Sequence, residues 1–263
     1  MIDASVRGVD VSSYQGSIDW RAAADDGIRF AMIKASQGRS VYTPSLYLFE
    51  DSRFRANVTG AAAAGIACGA YHYLTALTKE EAVREADFFL SVTAAYRTKL
   101  PLGAAVDVED SRLSGDRTQL GAVVRAFCAR VEAAGMEIMV YTNPDFLRNR
   151  IDSIGGRRLW LALWRTPSAI PQEKDYPGLR IWQWGVRAVN GIPGTPDADF
   201  GDAALLAPTA EEPDYAAEVC RIAGLSEATR AYLAQYRYSA DLFYKLYRAM
   251  CADASPAGTK GGN

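Results

Sequence analysis

An Asp-x-Glu triplet, Asp107-Val108-Glu109, ends an apolar stretch (LGAAVDVED) that reads as a buried strand. Residues two apart on a strand project to the same side, with Cα atoms roughly 6.5 Å apart from a rise of ~3.3 Å per residue. Two carboxyl groups held that close do not both ionise easily, so one pKa is expected to rise. A protonated carboxyl beside an ionised one suits cleavage of a glycosidic bond: one donates a proton and the other stabilises positive charge on the sugar ring. Asp10 and Asp197 fall where other strands are expected to end, and Asp199 follows Asp197 at the same two-residue spacing.

Tyr14, Tyr71, Tyr73, Tyr141, Trp160, Trp164, Trp182 and Trp184 cluster at or near such strand ends. Aromatic faces stack on the C–H faces of sugars, and they also fill cores. Tyr14, Tyr73, Tyr141 and Trp164, with Lys34 and Gln183, are the candidate substrate-binding residues. His72 is the only histidine, which excludes a multi-histidine zinc site, and it reads as a hydrogen-bonded structural group. HExxH, paired Cys, GxSxG, a P-loop and a helix-opening GxGxxG are all absent. Zinc hydrolase, serine hydrolase, NTPase and dehydrogenase readings fail on that ground, and no metal or cofactor is expected.

Those side chains need a frame to bring them together. Strand-like segments at 7–12, 28–34, 66–73, 102–108, 137–141, 159–163 and 179–184 alternate with helical patterns, with a last short strand expected near residue 190. Thr78 and Glu81 form a capping-box pattern for a helix over 78–93, and Gly135 closes another over 118–134. The alternation predicts a parallel sheet covered by helices, and about eight strands predict a closed TIM-like (β/α) barrel over residues 1–207. Polar residues recur at the predicted C-terminal strand ends: Asp10, Lys34, His72, Asp107 with Glu109, Tyr141, Trp164 and Gln183. In such a barrel these ends share one rim, which is the catalytic one.

Beyond residue 207 the pattern changes. Residues 208–213 (PTAEEP) read as a linker. Helical patterns without strands follow, making a small module over 213–252, and 253–263 read as a disordered tail. The formal net charge of −2 argues against a nucleic-acid partner. No apolar run approaches the ~20 residues needed to span a bilayer, so no membrane insertion is expected. No signal-peptide pattern opens the chain, so either a leader has been removed or the protein is expected to be made in the cytosol. Cys68, Cys128, Cys220 and Cys251 lack paired spacing and read as buried thiols, with a Cys220–Cys251 bridge left open.

The motifs, taken in order, resemble the family-25 glycoside hydrolases, the Chalaropsis-type lysozymes. The opening GVDVSSYQGSIDW (8–20) and AVDVED (105–110) carry most of the likeness. FAMIKASQG (30–38), GAYHYL (69–74), VYTNP (140–144), LWLALW (159–164), IWQW (181–184) and PDADF (196–200) support it over roughly residues 5–202. The resemblance implies a flattened β/α barrel and N-acetylmuramidase activity, cutting peptidoglycan between N-acetylmuramic acid and N-acetylglucosamine. It makes Glu109 the general acid and Asp10, Asp107 and Asp197 its companion carboxylates, with Asp107 or Asp197 orienting the substrate's acetamido group. It also implies a phage or prophage endolysin that stays cytosolic until release. The C-terminal module would then bind the wall, pack on the barrel or mediate self-association. Ser36 and Gln37 depart from the Thr and Glu of many members, and residues 39–50 and the C-terminal module match no pattern of the family.

Two rivals share these residues: an inactive carbohydrate-binding barrel, and a metal-dependent phosphodiesterase using the four acids as oxygen ligands. A chelator separates the second. A glycosidase is expected to clear peptidoglycan equally with and without EDTA, whereas a metal enzyme loses its activity.

Overall fold

The computed structural model describes residues 1–38, 47–206, 214–236 and 239–253. The expected linker at 208–213, most of the unmatched loop (39–46) and the tail beyond 253 lie outside the described residues. Nine strands form one sheet: β1 (Ile2–Val11), β2 (Phe30–Gln37), β3 (Phe49–Glu50), β4 (Ala67–Tyr73), β5 (Ala104–Asp107), β6 (Ile138–Thr142), β7 (Arg158–Ala162), β8 (Leu179–Val186) and β9 (Asp197–Asp202). Eight of them close into a ring in the order β1-β2-β4-β5-β6-β7-β8-β9, and β3 hangs on β2 as a short antiparallel edge.

Strands β1 through β8 of the ring run parallel, as the alternating pattern predicts. The last strand does not. Residues near 190 form only an isolated Val189–Ile192 bridge, and β9 runs antiparallel to both β8 and β1. The reason is connection length. A parallel return needs a crossover of roughly a dozen residues or more, usually helical, whereas the short segment 187–196 can only turn the chain back. Asp197 therefore begins its strand instead of ending one, yet lies at the rim where β1 to β8 end.

Helices α1 (Trp20–Asp25), α2 (Phe54–Ala63), α3 (Lys79–Thr93) and α4 (Arg117–Ala133) flank the first half of the barrel. Asp19, Thr78 and Asp116 cap α1, α3 and α4 by accepting from backbone N–H groups. Glu81 reaches back to the Leu77 N–H at 2.7 Å. Their apolar faces and the outer faces of the strands bury one large cluster that includes Phe54, Phe89, Leu120 and Phe127. After β6 the helix reduces to a five-residue π-helical turn, Phe146–Arg150, and none follows β7. There, Leu147, Ile154, Leu163, Ile170 and Tyr176 cover Leu159, Leu161 and Trp182. Helices therefore cover the barrel less completely on that side.

The barrel interior is packed, not hollow. Val6, Phe30, Met32, Leu102, Met139 and Ile181 fill it below the rim. Gly8 shows how tightly: a Cβ there would stand 2.3 Å from the Phe30 ring.

His72 is not at the rim opening. Tyr71 and Tyr73 face inward, so the alternation of a strand sends His72 outward beneath the helices. Its ring stacks on Phe127, with centroids 5.1 Å apart, and bonds Ser36 Oγ at 2.8 Å and Glu85 Oε2 at 2.8 Å. Glu85 also accepts from the Thr75 N–H at 3.0 Å and the Thr75 hydroxyl at 2.8 Å. Ser36 reaches this cluster because the β2–β4 register slips between Lys34 and Ser36, so Lys34 points in and Ser36 points out.

Contacts divide the chain into two units, Met1–Ala207 and Pro208–Asn263. The second comprises α5 (Tyr215–Ala223), α6 (Glu227–Ala234) and α7 (Ser239–Asp253) around Val219, Cys220 and Phe243. Gly224, at φ 65°, ends α5 and Ser226 caps α6. Cys68, Cys128 and Cys220 are buried free thiols, and the side chain of Cys251 lies outside the described ones. No described helix is long and apolar enough to cross a membrane.

Glu85 ties α3 to β4 and the turn after it. Glu85→Leu strands the Thr75 and His72 donors in a dry interior, so urea denaturation is expected to show a loss of about 3 kcal/mol or more. A midpoint unchanged from wild type would contradict this account of the cluster.

Candidate active site

One rim of the barrel carries a cleft of about 230 Å³ lined by Asp10, Val11, Ser12, Tyr14, Gln15, Lys34, Tyr71, Tyr73, Asp107, Glu109, Tyr141, Trp160, Gln183 and Asp197. Nine of the ten candidate residues meet there. Asp10 near the end of β1 is the register partner of Asp197 at the start of β9, so the first and last strands present adjacent carboxyls. Asp107 ends β5 and Glu109 follows two residues on, as the triplet spacing requires.

Trp164 is the exception. It is 60% exposed, outside the cleft lining, and donates from its indole to Gln183 Oε1 at 2.9 Å. The Tyr141 hydroxyl donates to the same oxygen at 3.1 Å. With two donors on its oxygen, the Gln183 amide must turn its nitrogen to Asp10, and Nε2 donates to Asp10 Oδ2 at 2.9 Å. Gln183 is thus a connector that aims Asp10.

Tyr14 stands at the mouth, 92% exposed. It rides on a single turn, Ser13–Gln15, held by reciprocal bonds: the Ser12 N–H to Gln15 Oε1 at 2.8 Å and the Tyr14 N–H to Ser12 Oγ at 3.2 Å. The Ser13 N–H adds a bond to Asp51 at 2.9 Å. Lys34 donates to Gln37 Oε1 at 2.6 Å and lies 5.1 Å above the Tyr73 ring. Burial lowers the Lys34 pKa, while the charges of Asp107, Asp51 and Glu109 work against that shift.

All four predicted acids titrate above the ordinary carboxyl range, and burial is the first cause for each. For Asp107 the charge of Glu109 comes second. For Glu109 its hydrogen-bonding contact with the Tyr141 hydroxyl opposes the rise, and Asp197 adds to it. The expectation of one raised pKa caused by mutual repulsion is therefore corrected. Desolvation acts on the whole group, and repulsion only adds to it. Asp107 Oδ1 is buried, and among the described residues it receives no hydrogen bond.

Three contributors were under-read from sequence. Tyr71 and Trp160 were visible only as aromatics near strand ends, yet both line the cleft, and Trp160 packs edge-on against Tyr141 with centroids 4.4 Å apart. Asp199 had its signal in the Asp-x-Asp alternation. It lies one layer below Asp197, opposite Gly8 and Gln183, and accepts from the Trp160 indole at 2.8 Å.

The chain is similar to lysozyme M1 of Streptomyces globisporus, 30% identical over 217 residues that cover 77% of this chain and 70% of that protein. The lysozyme structure from Streptomyces coelicolor superposes with a TM-score of 0.64 at 30% identity, covering 76% of this chain and 94% of the other. The CTP1L endolysin structure matches in fold over 94% of this chain and 99% of its own, with a TM-score of 0.64 at 20% identity. Residues 9–191, well over half of the sequence, match the model for glycosyl hydrolases family 25. The chain belongs to family 25 of the glycosyl hydrolases.

Proposed function

We propose that this protein is an N-acetylmuramidase that hydrolyses the β-1,4 bond between N-acetylmuramic acid and N-acetylglucosamine in bacterial peptidoglycan. One observation carries the reading: Glu109, a rim acid whose pKa is raised by partial desolvation, shares a cleft with Asp10, Asp107 and Asp197. Family membership and the lysozymes among its relatives support it.

In this reading Glu109 gives its proton to the bridging oxygen as the bond to the sugar ring lengthens. Desolvation at the rim raises the Glu109 pKa, so it holds that proton to higher pH than a fully solvated glutamate does. The unpartnered Asp107 Oδ1 is suited to accept the N–H of the substrate's acetamido group. The acetamide oxygen would then attack the anomeric carbon from within the substrate, and Glu109, now ionised, would activate the water that opens the intermediate. Asp10 and Asp197 supply negative field beneath the positive ring. Tyr14 and Tyr73 offer ring faces to neighbouring sugars. The described helices of the C-terminal unit form a compact module that we assign to wall attachment or self-association, and the setting we infer is an endolysin acting on the wall after release.

Glu109→Gln is expected to lower kcat by about 10²–10⁴-fold with little change in KM, in a turbidity assay on purified peptidoglycan. Mass spectrometry of wild-type products should place the new reducing end on muramic acid. Equal clearing by both proteins rejects Glu109 as the acid, and no clearing by either favours a binding-only barrel.

The pH profile follows from the same group. Glu109 works protonated, so kcat/KM is expected to fall as pH rises through its raised pKa, and an acid limb should appear as the companion carboxylates take up protons. A rate that still climbs through mildly alkaline pH contradicts the assignment.

A further inference from the structure

We propose that Asp199 and Asp10 hold one proton between their carboxyl groups, which makes Asp199 a positioning residue that fixes the charge and aim of Asp10. Its catalytic consequence rests on the muramidase reading above, but the shared proton itself does not.

The geometry comes from the strands. Asp199 sits opposite Gly8 on β9, two residues from the Asp197–Asp10 pair, so its side chain rises under Asp10 on the same face. The Asp10 carboxyl lies within hydrogen-bonding range of it. Both residues are buried, Asp199 almost completely. Trp160 Nε1 satisfies Asp199 Oδ1 at 2.8 Å, and Gln183 Nε2 satisfies Asp10 Oδ2 at 2.9 Å. Among the described residues no donor reaches Asp199 Oδ2. Two dry carboxylates facing each other without a donor repel; one proton turns the contact into a charge-assisted hydrogen bond.

Among the described residues the surroundings offer no other compensation. Facing the pair are Asp197 and Asp107, which add negative field, and Tyr71, Tyr141, Trp160 and Gln183, which are uncharged. The nearby cation, Lys34, couples to Asp107, Asp51 and Glu109 instead. Burial pushes the Asp199 carboxyl up to about 7, consistent with a proton retained through the acid range. With one proton shared, the pair carries a single charge, and Gln183 and Trp160 fix the outer oxygens of Asp10 and Asp199.

The sign of the stability effect follows. Between the unfolded value of 3.8 and the folded value of about 7, the folded state binds more protons than the unfolded. This pair therefore stabilises least at high pH: its contribution declines as pH rises toward neutrality and levels off above it. Asp199→Asn keeps an N–H donor toward Asp10 and cannot ionise. The variant's melting temperature relative to wild type is expected to rise steadily with pH across that window. In activity, Asp199→Leu is expected to lower kcat about tenfold or more with a smaller change in KM, and Asn is expected to recover most of that loss.

Parallel melting profiles for wild type and Asp199→Asn, or equal kcat for the Asn and Leu variants, would overturn the proposal. Should Asp199→Leu fail to fold, carbon-13 NMR titration of aspartate carboxyls in wild type and Asp199→Asn decides. A resonance titrating near neutrality in the first and absent from the second supports the shared proton. Identical titrations in both refute it, whether or not peptidoglycan proves to be the substrate.

Discussion

The antiparallel seating of β9 between β8 and β1 governs the chemistry of this barrel. A parallel closing strand would carry Asp197 to the far rim, or would need a crossover longer than 187–196 provides. Reversed, β9 starts at the catalytic rim, places Asp197 beside Asp10 and drops Asp199 one layer below. Three of the five acids in and under the cleft owe their proximity to that single reversal.

Collecting acids in so small a space is unfavourable, and the fold handles it by desolvation rather than by counter-charge. Among the described residues, Lys34 is the one basic side chain lining the cleft, against Asp10, Asp107, Glu109 and Asp197. Desolvation is the largest cause of the rise for each of these carboxyls, so protonation is how they lower their electrostatic energy. The same protonation is what general-acid chemistry needs. Neutral donors give the cluster its direction: Gln183 relays the orientation of Trp164 and Tyr141 to Asp10, and Trp160 holds Asp199.

The opposite face of the same strands does purely structural work. His72, Ser36, Thr75 and Glu85 form a fully bonded buried cluster between β2, β4 and α3. In composition it looks like a hydrolase triad. No substrate can reach it, because His72 and Glu85 have no solvent exposure. Tyr71 and Tyr73, adjacent in sequence to His72, line the cleft instead. One peptide step separates the catalytic face from the core face.

The local chemistry of the chain was legible in its residues. Apolar runs named most of the strands, Thr78 and Glu81 announced a helix start, and Asp107-x-Glu109 announced a carboxyl pair, because each signal depends on neighbours within a few positions. The destination of each side chain was not. Whether Lys34 and Ser36 share a face depends on a bulge in β2, whether Trp164 meets sugar or props Gln183 depends on a loop, and whether Asp197 joins Asp10 depends on strand direction. Desolvation, which dominates the titration of the cleft, is a property of the assembled surroundings, and no window of sequence contains it. Local spacing determined which groups could do acid chemistry; packing between strands distant in the chain decided which of them meet, face inward and keep their protons.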